Sequence, residues 1–247
     1  MNRIIQAILF DLGDTLMYSA APWPPIYERA GQKLSDFLGS NGVKVDRETF
    51  HTEFLQRLDQ YYSNRERNLL ETSTSSILQE LLIENGEFNF SEILLRSALD
   101  EFYAVTQQNW HLESDAVTTL TTLQNSGFHL GLISNAGDDQ DVHQLVNKFG
   151  IGKYFDFILT SAACGYRKPH PFIFGKALDQ WGYLPDEIAM VGDRLDADMG
   201  GAQPLGIYSI WIKRRAKITI QNSLCPDAIV ENLGEIPAII INLPLGE

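Results

Sequence analysis

Four short polar stretches in this 247-residue chain follow apolar runs and carry residues able to do chemistry. They are Asp11-Leu12-Gly13-Asp14-Thr15, Ser134-Asn135, the loop leading to Lys168, and Gly192-Asp193 with Asp198 shortly after. Gathered at one rim, they would bring carboxylates, a hydroxyl and an ammonium together. Clustered carboxylates suit a hard cation, and Mg²⁺ is commonly held by one or two of them together with water and a substrate phosphate. A lysine adds a point charge for a phosphate or for a nucleophilic carboxylate. The composition of such a rim points to metal-assisted phosphate chemistry. Taken singly, each residue has a plainer reading: Asp11 a turn residue, Ser134 to Asp138 a helix entry, Lys168 a solvated lysine, Asp196 a helix cap.

What must position these residues is a set of strands. Ile4 to Phe10 is a short apolar run of the kind buried on both faces of a parallel sheet. Similar runs lie at 129–133, 155–159, 188–191 and 207–212. Helix-like stretches separate them: 115–124 closed by Gly127, 138–149 closed by Gly150, and 171–181 closed by Gly182. The alternation predicts an α/β fold with a doubly wound parallel sheet, whose ligand crevice lies at the carboxyl ends of the strands. Residues 19 to 106 differ. They show no strand signal but carry helical spacing, as in Phe50, Phe54, Leu55 and Leu58. Ala21-Pro22-Trp23-Pro24-Pro25 reads as a stiff connector in which proline blocks a helix. The expected organisation is an α/β core of residues 1–18 and 107–247 with an inserted helical domain at 19–106.

The wording of the four stretches resembles the haloacid dehalogenase superfamily. Phe10-Asp11-Leu12-Gly13-Asp14-Thr15-Leu16 is similar to its first motif and Ile133-Ser134-Asn135 to its second. Gly165-Tyr166-Arg167-Lys168-Pro169-His170-Pro171 is similar to the third, and Val191-Gly192-Asp193 with Asp198 to the fourth. The order is the family's, and residues 19–106 stand where its helical cap is inserted. The resemblance implies a Rossmann-like core and a Mg²⁺-dependent phosphohydrolase acting on a small phosphorylated metabolite. It implies Asp11 as the nucleophile that forms an aspartyl-phosphate. Mg²⁺ would be held by Asp11, Asp193 and the backbone carbonyl of Gly13, with Asp198 behind them. Ser134, Asn135 and Lys168 would bind the phosphoryl group, and Lys168 would also orient Asp11.

One departure stands out. The family's phosphatases place an acid/base aspartate two residues after the nucleophile, and here that position is Gly13, with Asp14 one place later. General acid–base help is worth ~10²–10⁴ in rate, so Asp14, a cap residue or water would have to replace it. Two alternatives stay open. One is a metal-free 2-haloacid dehalogenase-type hydrolase, since those relatives also lack the second aspartate. The other is a degenerate relative that binds a ligand or partner with little turnover.

Composition narrows the partners. With 19 basic against 32 acidic residues, the net charge of −13 argues against nucleic acid or an anionic membrane surface. No apolar run approaches the ~20 residues of a membrane span. Met1-Asn2-Arg3 leads into a run ending at Asp11, unlike a signal peptide, so a cytoplasmic protein with Cys164 and Cys225 reduced is expected. A monomer or homodimer is expected.

Overall fold

The computed structural model describes residues 5–216 and 224–243; Ile4, counted above in the first apolar run, and Met1 to Arg3 lie outside them. Among the described residues eight strands run in chain order: β1 (Ala7–Phe10), β2 (Met17–Ser19), β3 (Trp110–Leu112), β4 (His129–Ser134), β5 (Phe157–Thr160), β6 (Ile188–Gly192), β7 (Tyr208–Ile212) and β8 (Ala228–Val230). Six of them form one sheet in the order β5-β4-β1-β6-β7-β8, every pair parallel. The side chains of β1 and β6 are buried throughout, as the unbroken apolar runs require of strands covered on both faces.

The helices are α1 (Pro24–Ser40), α2 (Phe50–Asn64), α3 (Thr74–Glu84), α4 (Glu92–Thr106), α5 (Ala116–Asn125), α6 (Asp139–Lys148), α7 (Ser161–Cys164), α8 (Pro171–Trp181), α9 (Gly200–Ala202) and α10 (Ile236–Ile241). Helices α5, α6 and α10 pack against one face of the sheet, around Phe10, Leu120, Leu132 and Val146. Helix α8 covers the other through Ile173, Phe174 and Ala177. Helices α1 to α4 build a core of their own, with Leu34, Phe54, Leu78, Leu99 and Phe102 buried at its centre. This is the α/β fold with an inserted helical cap.

Three expectations are corrected. Proline does not block a helix at the start of the cap: Pro24 and Pro25 open α1, where a first-turn residue has no intrahelical N–H bond to lose. The stretch from Ser19 is not strand-free, because Met17–Ser19 pairs antiparallel with Trp110–Leu112. These two strands are the connectors between core and cap, and three residues each is too short to show a period-2 signal. The sheet also gains β8, whose Ala-Ile-Val is equally brief.

Candidate active site

Strand β1 lies between β4 and β6, so their carboxyl ends set Asp11, Ser134 and Asp193 side by side. Lys168 arrives on the loop between α7 and α8, and Asp198 on a single π-helical turn, Leu195–Met199. All five side chains belong to buried residues. The Lys168 ammonium donates to Asp11 Oδ1 at 2.6 Å and to the Ile133 carbonyl at 2.9 Å, and pairs with Asp198 Oδ1 at 2.7 Å. Asn135 holds the main chain of this lysine from both sides. Its Oδ1 accepts from Lys168 N at 2.7 Å and its Nδ2 donates to Lys168 O at 2.9 Å. The Asn135 amide is thus engaged with the lysine loop. Asp198 Oδ2 accepts from Arg194 N at 3.0 Å, which closes the π turn, and Trp211 donates to the Asp193 carbonyl at 2.8 Å.

The electrostatics are unbalanced toward negative charge. Burial opposes the charge of Lys168, but Asp11 and Asp198 outweigh it and hold the ammonium above its ordinary range. Burial pushes the Asp198 carboxyl up to about 6, with Asp11 adding to the shift and Lys168 opposing it. Asp193 is pushed up to about 8 by burial and by the charges of Asp11, Asp198 and Asp14. One ammonium does not neutralise this group. Oxygens of Asp11, Asp193 and Asp198 lie within 4.8 Å of one another, a spacing that one cation can bridge. The donor set is all oxygen, as Mg²⁺ requires. The residues present therefore fit a hard divalent ion, with Asp198 the least available of the three because both its oxygens already have partners.

These residues line a cavity of about 200 Å³ that is walled as well by Arg65, from the cap segment after α2, and by Trp110, from the connector strand β3. Gly13 and Asp14 lie on its wall as well. Asp14, not Gly13, adopts the left-handed conformation, with φ of 58°. A Cβ built on Gly13 would meet the Trp110 ring at 3.4 Å, an ordinary contact. A second cavity of about 300 Å³ continues into the cap, walled by Trp23, Tyr27, Tyr62, Phe102 and Tyr103.

The cap is fastened to the core beside the lysine loop. Glu71, between α2 and α3, accepts from Tyr61 OH at 2.5 Å, from Ser161 Oγ at 2.6 Å and from Arg167 Nη1 at 2.5 Å. Both the Glu71 and Arg167 side chains are fully buried. Glu71, Arg65, Trp110 and Asp141 all reach this region although no motif marks them in the sequence. Only Asp141 carried a signal, as an acidic residue in the first turn after the Ser134 strand end.

Comparison with known proteins agrees with this architecture. A glyceraldehyde 3-phosphate phosphatase of Pyrococcus furiosus is 24% identical over 240 residues, covering 96% of this chain and 94% of the relative. A phosphoserine phosphatase of Thermus thermophilus is 30% identical over 138 residues, 56% of this chain and 55% of its own. A 2-haloacid dehalogenase from Pseudomonas syringae pv. Tomato DC3000 superposes with a TM-score of 0.68 at 25% identity, over 97% of this chain and 100% of that one. Residues 42–212 match the family model of haloacid dehalogenase-like hydrolases, a match that starts inside the cap and runs through the second, third and fourth motifs. The chain is a hydrolase and belongs to the haloacid dehalogenase-like family.

Proposed function

We propose that the protein is a Mg²⁺-dependent phosphohydrolase that cleaves a small phosphorylated metabolite through an aspartyl-phosphate on Asp11. The observation that carries this reading is the trio Asp11, Asp193 and Asp198, three buried carboxylates facing a single ammonium. A site that attacks carbon–halogen bonds without metal has no use for that surplus of negative charge. The names of the relatives support the substrate class, since glyceraldehyde 3-phosphate and phosphoserine are both small phosphate monoesters.

Asp11 attacks phosphorus with the oxygen not held by Lys168, the P–O bond to the leaving group breaks, and water later releases phosphate from Asp11. Lys168 fixes the Asp11 carboxylate and offsets negative charge as it builds on the phosphoryl oxygens. Ser134, at the end of β4, stands on the cavity wall to bind one of those oxygens. Asn135 keeps Lys168 in place through its main chain. Asp11, Asp193 and the Gly13 carbonyl would hold Mg²⁺, with Asp198 supporting Lys168 beside them. The ion supplies positive charge that lets an anionic nucleophile approach an anionic ester. The cap walls off bulk water and presents its aromatic cavity to the organic part of the substrate.

Gly13 keeps a second reading in play, a dehalogenase-type hydrolysis at Asp11. The two separate in one experiment: hydrolysis of p-nitrophenyl phosphate and of 2-chloropropionate, each with Mg²⁺ and with a chelator. Mg²⁺-dependent phosphate release supports the proposal. Chloride release indifferent to chelator would replace it.

A further inference from the structure

The catalytic cavity and the aromatic cavity of the cap share a wall made of Arg65, Trp110, Asn135, Ala136 and Asp141. A phosphate monoester with its phosphorus at Asp11 and its organic part among the cap aromatics has its bridging oxygen at that wall. That oxygen must be protonated if an alkoxide is to leave, and Gly13 has no proton to give. Arginine stays protonated, and tryptophan, asparagine and alanine are not acids in this range. Among the described residues, Asp141 is the one Brønsted acid on the shared wall.

We propose that Asp141 is the general acid and base of this enzyme, delivered from the first turn of α6 in place of the missing aspartate at position 13. The inference rests on the phosphohydrolase reading above. The Asp141 carboxyl is held by one oxygen, Oδ1, which accepts from Gln107 Nε2 at 2.8 Å. Among the described residues Oδ2 receives no hydrogen bond, so it can present a proton to the cavity. The backbone of Asp141 is fixed by its N–H, which donates to Asp138 Oδ1 at 2.9 Å.

The surroundings keep that proton on near neutrality. Burial raises the Asp141 carboxyl to about 7; Asp138 and Asp100 add to the shift, while Gln107 and Arg96 oppose it. The other ionisable groups facing it are the phenols of Tyr27, Tyr62 and Tyr103 and the guanidinium of Arg65 on the same wall. An acid with a pKa near the working pH is the effective kind. Asp14 borders the catalytic cavity alone and raises the Asp193 carboxyl, which sets it on the carboxylate side of the site.

The proton balance closes over two steps. As an Asp11 oxygen bonds phosphorus, the bridging P–O bond breaks and its oxygen takes the Asp141 Oδ2 proton, leaving as an alcohol. Asp141, now a carboxylate, takes a proton from the water that attacks the aspartyl-phosphate; the P–O bond to Asp11 breaks and the acid is restored.

The test compares p-nitrophenyl phosphate, whose leaving group departs unprotonated, with glycerol 3-phosphate, whose alkoxide cannot. Asp141→Asn should lower the ratio of alkyl to aryl kcat/KM by ~10²–10⁴. Wild-type alkyl turnover should fall as pH rises through about 7, and this limb should vanish in Asp141→Asn while Asp141→Glu keeps part of both. Circular dichroism establishes that each variant is folded, and the glutamate variant serves if the asparagine one is not. Equal loss on both substrates, or no loss, would overturn the role of Asp141 while Asp11-dependent aryl turnover still stood. Wild-type enzyme without Asp11-dependent turnover of either ester would overturn the phosphohydrolase reading and this inference with it.

Discussion

Lys168 Nζ stands 2.6 Å from Asp11 Oδ1, two residues 157 positions apart in the chain and both buried. The same nitrogen contacts Asp198, so a single ammonium holds two carboxylates. Lys168→Met should therefore abolish turnover and also destabilise the fold by ~3–5 kcal/mol, the cost of stranding buried charges. Urea unfolding should recover part of that loss at pH 5, where the Asp198 carboxyl, pushed up by burial to about 6 even beside Lys168, takes up a proton.

Asp11→Asn and Asp193→Asn should each eliminate Mg²⁺-dependent phosphate release while leaving far-ultraviolet dichroism intact. Beryllium fluoride with Mg²⁺ should raise the Tm of the wild type and not of Asp11→Asn, because the adduct needs the free carboxylate. A full response by Asp11→Asn would remove Asp11 from the nucleophile's role.

Stability should carry the signature of Asp141. Its folded carboxyl lies at about 7 and its ordinary value is 3.8, so the native state binds the extra proton. The slope of unfolding free energy with pH follows protons bound in the unfolded state minus those in the native state, and is negative here. This contribution is complete below about pH 4, fades as pH rises to about 7, and is absent above. Asp141→Asn should flatten that slope and raise Tm relative to wild type more at pH 8 than at pH 5, by at least ~2–4 °C, the shift made by ~1 kcal/mol in a chain of this size. Identical pH slopes in differential scanning calorimetry would contradict it.

Gly13→Asp should fold, because Gly13 is not in the left-handed region and its Cβ would sit in ordinary contact with Trp110. The new carboxylate should restore alkyl phosphate turnover in the Asp141→Asn background by ~10-fold or more and change it little in the wild type, which already has an acid. Rates in the four combinations form a double-mutant cycle, and strict additivity would separate the two positions.

Glu71→Ala should loosen the cap. It leaves the Arg167 guanidinium buried without its close carboxylate partner, a change expected to cost ~3–5 kcal/mol. Hydrogen exchange should rise at residues 66–74 and 161–167 before it rises in the central strands. Uniform protection across those segments would show that Glu71 does not fasten them.

The sheet and the candidate rim are legible because each central strand is a short, mostly apolar run ended by a polar residue. Asp11, Ser134, Lys168 and Asp193 converge where that pattern puts them. What the sequence hid has a common cause, distance along the chain. Lys213, Arg214 and Arg215 look like a solvated basic run at a strand end, yet Arg214 bonds Asp115 at 2.9 Å and Arg215 bonds Glu113 at 2.8 Å, about a hundred positions earlier. Glu71 sits in an unremarkable linker until Ser161 and Arg167 reach it. Asp141 reads as an ordinary helix-start acid, because its setting is made by cap residues that only folding brings near.

The antiparallel pairing of Met17–Ser19 with Leu112–Trp110 has a consequence for how such a protein can change over time. Ser19 and Trp110 face each other across the pair, so the chain leaves the core and re-enters it at one place. A two-residue turn could join those positions as a hairpin, and closing a longer loop there adds free energy only with the logarithm of its length. The backbone junction therefore accepts inserted domains of many lengths, provided that each also partners the buried Arg167 as Glu71 does. Exchange of whole caps between relatives would change which molecules are processed while the rim that processes them is inherited intact.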